Sequence, residues 1–130
     1  MSVGIMIITH SGVGNILLQT AFDMLQARPL QPVIIEVDMS CEIDRTVEKA
    51  EQAFSRCQQG DGVLILTDIF GSTPSNIASV LLEKHQARAV SGLNLPMLIR
   101  VLNYSDLALD QLAEKAHSGG IDGILHWTKT

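Results

Sequence analysis

The stretch IMIITHSGVGNILL, residues 5 to 18, places an unbroken apolar run directly before a polar turn and a second apolar segment. The run VGIMIIT, residues 3 to 9, is nearly all apolar, which is typical of a strand covered on both faces of a sheet. The turn after it contains His10 and two glycines, and the residues beyond the turn have helical spacing. The stretch therefore predicts a buried strand, a loop and a helix, which together begin a parallel βαβ fold.

The same alternation of strand and helix continues along the chain. Further strands are predicted at residues 32–37, 62–67 and 87–92, and Ile43 to Cys57 has the spacing of an amphipathic helix. Apolar stripes predict other helices around residues 17–25, 77–81 and 109–116. The predicted fold class is α/β, an open, mainly parallel, four-stranded sheet flanked by helices on both faces.

Length and composition favour one domain over residues 1–130. The chain is 46% hydrophobic, enough for a single core, and contains no repeat or linker. Its formal charge of −5, with no run of Lys or Arg, disfavours nucleic acid as a partner. With neither an apolar segment of about 20 residues nor a signal pattern, a cytoplasmic location without membrane insertion is expected. Cys41 and Cys57 form no CxxC pair and are interpreted as reduced structural thiols.

Two loops at the carboxyl ends of predicted strands contain most of the chemically active residues. The first is THSG after the first strand, and the second is TDIFGSTPSN, residues 67–76, after the third. In the second loop Thr73 is predicted as an N-cap and Pro74 as the first helical residue, while Gly71 and Ser72 let backbone amides approach a ligand. Helix N-termini attract anions, so this loop is predicted to bind one.

His10 and Asp68 occupy matching positions on strands that are expected to be neighbours. Adjacent strands lie about 4.8 Å apart, so the two side chains are expected to meet. A carboxylate that accepts from one ring nitrogen fixes the tautomer and leaves the other nitrogen free to attack. Phosphoryl transfer suits such a site, because its transition state needs alignment and charge stabilisation more than covalent help.

The segments ITHSG, LTDIFGSTPSN and SGLNLPML together resemble the IIA component of the mannose-type phosphotransferase system. In that family a TH loop, a D-x-[FW]-G-[GS]-[ST]-P-x-N loop and a G-x-N-x-P-M-L segment occur in this order. The resemblance covers essentially the whole chain. Residues 11–14, SGVG, differ from the more helical sequence that commonly follows the histidine.

The resemblance implies a phosphocarrier that takes a phosphoryl group from phosphorylated HPr and passes it to a histidine of a IIB component on a separate chain. By motif position, His10 is the phosphorylated residue and Asp68 its orienting carboxylate, while Gly71, Ser72 and Thr73 hold the phosphoryl oxygens. No metal or organic cofactor is expected. Family members form homodimers that exchange a last antiparallel strand, and IDGILHW, residues 121–127, is the candidate for that fifth strand.

Other functions compete with this one. A dinucleotide site has support from Gly12 and Gly14 after a strand and from Asp38, but Leu17 stands at the third glycine position. A flavodoxin-like or receiver-like module lacks an acidic pair after the first strand. The phosphotransfer subunit of a dihydroxyacetone kinase shares the fold and the histidine chemistry and ranks second. A regulatory role, in which phosphorylation of His10 is a signal, stays open beside sugar transport.

Several remaining residues are given lesser roles. Ile69 and Phe70 are candidates for docking carrier proteins, and Asn94 and Pro96 either shape the site or make an ordinary turn. No chemistry is assigned to the three other histidines, His85, His117 and His126.

Overall fold

A computed structural model describes residues 2–129 of the chain, which alternate strands and helices before two final helices. The strands are β1 (Ser2–His10), β2 (Val33–Val37), β3 (Gly60–Thr67) and β4 (Ala87–Ser91). The helices are α1 (Val13–Leu25), α2 (Ile43–Cys57), α3 (Thr73–Lys84), α4 (Leu95–Asn103) and α5 (Leu109–Asp122).

The four strands form one parallel sheet in the order β2-β1-β3-β4. The longest strands, β1 and β3, are central and have almost fully buried residues along their length. All four carboxyl ends meet at one edge of the sheet, because every pair of neighbours is parallel. The predicted α/β fold with its open four-stranded sheet is confirmed.

Alternation along the central strands divides the core into two layers. Ile5 and Ile7 of β1 face a cluster that includes residues of α1, α4 and α5. Met6 and Ile8 face a second cluster, which includes residues of α2 and α3. Helices therefore cover both faces of the sheet, and the loops at the carboxyl ends of the strands lie at its edge.

Helix α4 is absent from the sequence prediction, which treated Asn94 and Pro96 as loop residues. Asn94 is in fact the N-cap of α4, since its side chain accepts a hydrogen bond from the amide of Met97. The amide group of Asn94 also donates to the carbonyl of Gly120 at 3.2 Å, which ties α4 to α5. Nine residues give too short a periodic pattern to separate such a helix from a loop.

The first two residues of the predicted fifth strand, 121 and 122, belong instead to α5, because this helix continues through Gly119 and Gly120 to Asp122. A Cβ on Gly119 would lie 2.8 Å from Cβ of Arg100, so the glycine lets α4 and α5 approach closely. Residues 124–129 belong to no helix or strand. Formation of an exchanged fifth strand requires a second copy of the chain and stays a prediction.

Candidate functional site

His10 and Asp68 meet at the carboxyl edge of the sheet, between its two central strands. His10 is the last residue of β1, and Asp68 directly follows β3. Nδ1 of His10 lies 2.9 Å from Oδ2 of Asp68, and the same oxygen accepts from the backbone amide of His10, also at 2.9 Å. The side chain of His10 is 35% exposed and that of Asp68 is 13% exposed. The carboxylate thus lies beneath a ring that is open to solvent.

The environment of Asp68 favours its charged form. Burial acts to raise the pKa of its carboxyl, but hydrogen bonds from the backbone amide and ring of His10, the charge of that ring and the amide of Ile69 outweigh this effect. The pKa of Asp68 is therefore lowered from its ordinary value. An ionised Asp68 accepts a hydrogen bond from Nδ1 of His10, which leaves Nε2 as the ring nitrogen available for chemistry.

The loop after Asp68 connects the pair to the N-terminus of α3. Ser72 is the N-cap of the helix, Thr73 is its first residue and Pro74 its second. The N-cap and the first helical position therefore each lie one residue earlier than predicted. Gly71 has φ of +88°, and a Cβ there would meet no atom within 4 Å. Its left-handed backbone, which glycine favours, turns the chain into the helix.

Two serine hydroxyls link the residues of this loop. The hydroxyl of Ser72 donates to the carbonyl of Ile69 at 2.7 Å. Oγ of Ser75, a buried residue, accepts from the amide of Gly71 at 2.8 Å and donates to the carbonyl of Ser72 at 2.9 Å. The amides of Ser72 and Thr73 lie where an α-helix provides no acceptor for them. Ser75 was not among the predicted site residues, although it lies within the predicted loop, two residues after the predicted N-cap Thr73, where a hydroxyl can bond to the loop backbone.

The turn after His10 is shaped by a neighbouring carboxylate. Gly12 has φ of +84° and precedes α1, and its amide donates to Oε2 of Glu36 at 2.6 Å. Gly14 packs against Thr9 and Ile7, where a Cβ would lie only 2.9 Å from Cγ2 of Ile7. Glu36 was not predicted as part of the site, and Asp38 was the acidic residue considered after this strand; the signal of Glu36 is a single charge within an apolar strand.

The other polar candidates lie elsewhere. Nε2 of His85 lies 2.7 Å from Oε2 of Glu51, and its ring stacks on Phe54 with 4.2 Å between centroids. Within residues 2–129, no group of three or more His, Cys, Asp and Glu side chains is arranged to hold a metal ion. None of the helices in the described part of the chain combines the length and apolar character that crossing a bilayer needs.

Comparison with known proteins shows the family of the chain. The family model for the EIIA-man group, described as the PTS system fructose IIA component, matches residues 4–117. The chain belongs to this family. It is a mannose-type IIA component of the phosphotransferase system.

Two relatives illustrate the range of the family. The mannose-specific EIIAB component of Escherichia coli is 29% identical over 127 residues, which are 95% of this chain but 39% of that protein. The fructose-specific EIIA component of Bacillus subtilis is 42% identical over 67 residues, covering 50% of this chain and 46% of the relative. This IIA chain therefore spans about two fifths of the length of the EIIAB protein that it matches.

Solved structures share the fold of this IIA component. The mannose/sorbose-specific IIA subunit from Enterococcus faecalis has a TM-score of 0.89 at 21% identity, with 100% of this chain and 98% of that chain covered. The EIIA component from Streptococcus agalactiae has a TM-score of 0.83 at 22% identity, with 95% and 96% covered.

Proposed function

We propose that this IIA component is a phosphohistidine carrier for sugar uptake, which accepts a phosphoryl group from phosphorylated HPr on His10. The observation that carries the proposal is the contact of 2.9 Å between Nδ1 of His10 and the carboxylate of Asp68, beneath a ring that is 35% exposed. Membership of the family supports the same assignment. The acceptor would be a histidine of a IIB component on a separate chain.

Transfer requires no proton to move. The lone pair on Nε2 of His10 attacks the phosphorus atom of phosphohistidine on HPr, and the electron pair of the broken P–N bond returns to the nitrogen of HPr. Nδ1 of His10 keeps its proton and donates a hydrogen bond to Asp68, whose charge stabilises the positive character that the ring acquires. Transfer to IIB is the same kind of exchange: a histidine nitrogen of IIB attacks the phosphorus atom, and the electron pair of the P–N bond returns to Nε2 of His10.

The start of α3 is suited to stabilising the charge of the transferred group. The turn at Gly71 brings the amides of Ser72 and Thr73, together with the Thr73 hydroxyl, to the N-terminus of the helix, where the backbone dipoles favour an anion. A metaphosphate-like transition state gains most from donors that are already oriented. We assign Gly71, Ser72 and Thr73 to this phosphate-binding role.

Apolar side chains around the site would receive the carrier proteins. Ile69 is 58% exposed and Phe70 is 82% exposed, both in the loop between Asp68 and α3. Met39, which follows β2 at the same edge of the sheet, is 94% exposed. Exposed apolar residues of this kind mark protein–protein contact sites. HPr and IIB would dock here in turn, since both must reach Nε2 of His10.

A homodimer with exchanged C-terminal strands is part of the proposal. β4 is an edge strand of the sheet, so the backbone groups on its outer side have no neighbouring strand within the described chain and could pair with a strand of another chain. Ile124, Leu125 and Trp127 are each more than 70% exposed in the single chain. Pairing of this segment with β4 of a second copy would cover both the open edge and these apolar side chains.

A phosphotransfer subunit of a dihydroxyacetone kinase is not favoured, because the matched family is that of the phosphotransferase IIA components. The IIA component would act in the cytoplasm, where its carriers are found. Regulation through the phosphorylation state of His10 uses the same site and differs only in the partner that reads it.

Incubation with phosphoenolpyruvate, enzyme I and HPr, followed by mapping of acid-labile phosphate, tests the proposal. We expect label on His10 of the wild type, no label on His10→Ala, and full labelling of His85→Ala, which removes the other histidine that is paired with a carboxylate. Labelling of a folded His10→Ala variant would overturn the assignment, and circular dichroism of each variant checks folding.

A further inference from the structure

The loop between Asp68 and α3 is not held in place by side-chain packing. Ile69 and Phe70 both point largely into solvent, with 58% and 82% of their surface exposed. A Cβ on Gly71 would touch nothing within 4 Å, so the turn itself is also open. The conformation of the loop must therefore depend on hydrogen bonds.

Within residues 2–129, Ser75 makes the only side-chain bonds to the backbone of this loop that are not fully exposed. Its hydroxyl accepts from the amide of Gly71 at 2.8 Å and donates to the carbonyl of Ser72 at 2.9 Å, and the residue is 7% exposed. The bond from the Ser72 hydroxyl to Ile69 is exposed, so water can replace it. The bonds of Ser75 are part-buried and less open to water, and removal of its hydroxyl would take from the Gly71 amide its partner inside the loop.

The two bonds fix the orientation of the peptide groups on either side of the turn. With its amide bonded to Ser75, Gly71 directs this N–H toward the first turn of α3 and away from an incoming ligand. The carbonyl of Ser72 accepts from Oγ of Ser75 at 2.9 Å and from the amide of Asn76 at 3.0 Å, which leaves the next amide, that of Thr73, pointing outward. The amides of Ser72 and Thr73 and the Thr73 hydroxyl remain as donors at the start of α3.

We propose that Ser75 is a positioning residue, which keeps the Gly71 amide inside the loop so that the amides of Ser72 and Thr73 receive the phosphoryl group. The inference rests on the proposed function of His10 and refines it. Gly71 then contributes its left-handed backbone conformation, while the charge of the phosphoryl group is stabilised by the next two residues. Misplacement of such donors by even about 1 Å slows a reaction strongly.

The first test uses wild-type protein labelled with ¹⁵N, before and after phosphorylation through enzyme I and HPr. We expect the amide protons of Ser72 and Thr73 to move downfield on phosphorylation and that of Gly71 to keep its shift. An equal downfield movement of Gly71 would overturn the proposal. Absence of phosphohistidine at His10 in the same sample would instead overturn the proposed function.

The second test compares Ser75→Ala with Ser79→Ala. Ser79 is a matched control, because its hydroxyl donates to the carbonyl of Ser75 at 3.1 Å one turn further along α3 and has no bond to the loop. For Ser75→Ala we expect kcat for transfer from phosphorylated HPr to fall by about tenfold or more. KM should stay within about twofold, since Ile69 and Phe70 remain available for docking.

Amide hydrogen exchange gives a direct readout of the bond itself. Exchange at Gly71 should become faster in Ser75→Ala and stay unchanged in Ser79→Ala. Wild-type kcat in a folded Ser75→Ala variant, or an equal loss in Ser79→Ala, would show that Ser75 is merely structural. Should Ser75→Ala fail to fold, the shifts of the wild-type protein still decide the question.

Discussion

Among residues 2–129, two histidines are paired with carboxylates, and we propose only His10 for phosphoryl transfer. His10 uses Nδ1 for Asp68 and lies near the N-termini of α1 and α3. His85 uses Nε2 for Glu51, stacks on Phe54 and lies at the C-terminus of α3. Partial negative charge at a helix C-terminus opposes an incoming phosphoryl group. The same pair of residue types is therefore suited to different chemistry at opposite ends of one helix.

Replacement of Asp68 by Asn is expected to slow phosphoryl transfer by about 10- to 100-fold, because the carboxylate no longer fixes the tautomer of His10. Stopped-flow or quench-flow measurement of transfer from phosphorylated HPr would give kcat and KM separately. KM should change little, since the docking residues are untouched. Wild-type kcat in this variant would reduce Asp68 to a structural residue.

The lowered pKa of Asp68 also predicts a pH-dependent contribution to stability. When the pKa of a carboxyl falls on folding, the group contributes its full stabilisation of the native state at pH values above its pKa in the unfolded chain, about 3.9. This stabilisation is lost as the pH falls through the folded value. We expect the free energy of unfolding of wild type to exceed that of Asp68→Asn by more at pH 5 than at pH 3.

Urea denaturation at several pH values between 3 and 5 measures this difference. Ser79→Ala provides the control, because it removes a hydroxyl and changes no charge, so its effect should not depend on pH. A constant difference between wild type and Asp68→Asn over the same range would contradict the linkage.

At the scale of elements, glycines in α5 determine how closely it approaches α4. A Cβ on Gly119 would lie 2.8 Å from Cβ of Arg100, an atom fixed to the backbone of α4. A Cβ on Gly120 would lie 2.9 Å from Cε of Met97, the mobile end of a flexible side chain. A methyl group added at Gly119 would therefore meet an atom that cannot move aside, whereas one added at Gly120 would meet an atom that can.

Gly119→Ala is expected to lower the free energy of unfolding by about 1 kcal/mol, because overpacking outweighs the gain in helix propensity. Gly120→Ala should be nearly neutral, since Met97 can move aside. Chemical denaturation of both variants makes the comparison. Equal effects of the two substitutions would show that Arg100 is not the obstacle.

At the scale of the whole molecule, the sheet order explains why one edge carries the chemistry. With β1 and β3 adjacent and parallel, the residues at their carboxyl ends meet although they are 58 positions apart in sequence. A second feature is β4, one of the two edge strands of the sheet, together with the exposed apolar residues Ile124, Leu125 and Trp127. These two regions correspond to the two proposed kinds of partner, carrier proteins and a second copy of the chain.

Trp127→Glu is expected to shift the proposed dimer toward monomer, because burial of a charge against a second copy is costly. Sedimentation equilibrium over a range of concentrations would measure the dissociation constant, and we expect it to rise at least about tenfold. Met24→Glu is a matched control, since Met24 is 63% exposed on α1 rather than in the tail. A monomeric wild type, or equal weakening by both variants, would contradict strand exchange.

The sequence alone determined the class of fold and the two loops that matter. Nearly continuous apolar runs predicted the first three strands, because strands buried on both faces need no polar residues. The fourth, at residues 87–92, was predicted from the alternation of strand and helix along the chain. Matching positions at the ends of two strands were enough to pair His10 with Asp68. Helix α4 and the full length of α5 were not predictable, since their signals are short or interrupted by glycine.

Only the tertiary structure decided how the loops are held. The bond from Gly12 to Glu36 joins residues 24 positions apart, and no local pattern selects Glu36 over Asp38. The bond from Gly71 to Ser75 depends on where α3 begins, and the helix begins one residue earlier than its capping residues suggested. Hydrogen bonds of this kind depend on distances between backbone groups, which sequence patterns do not encode and folding fixes.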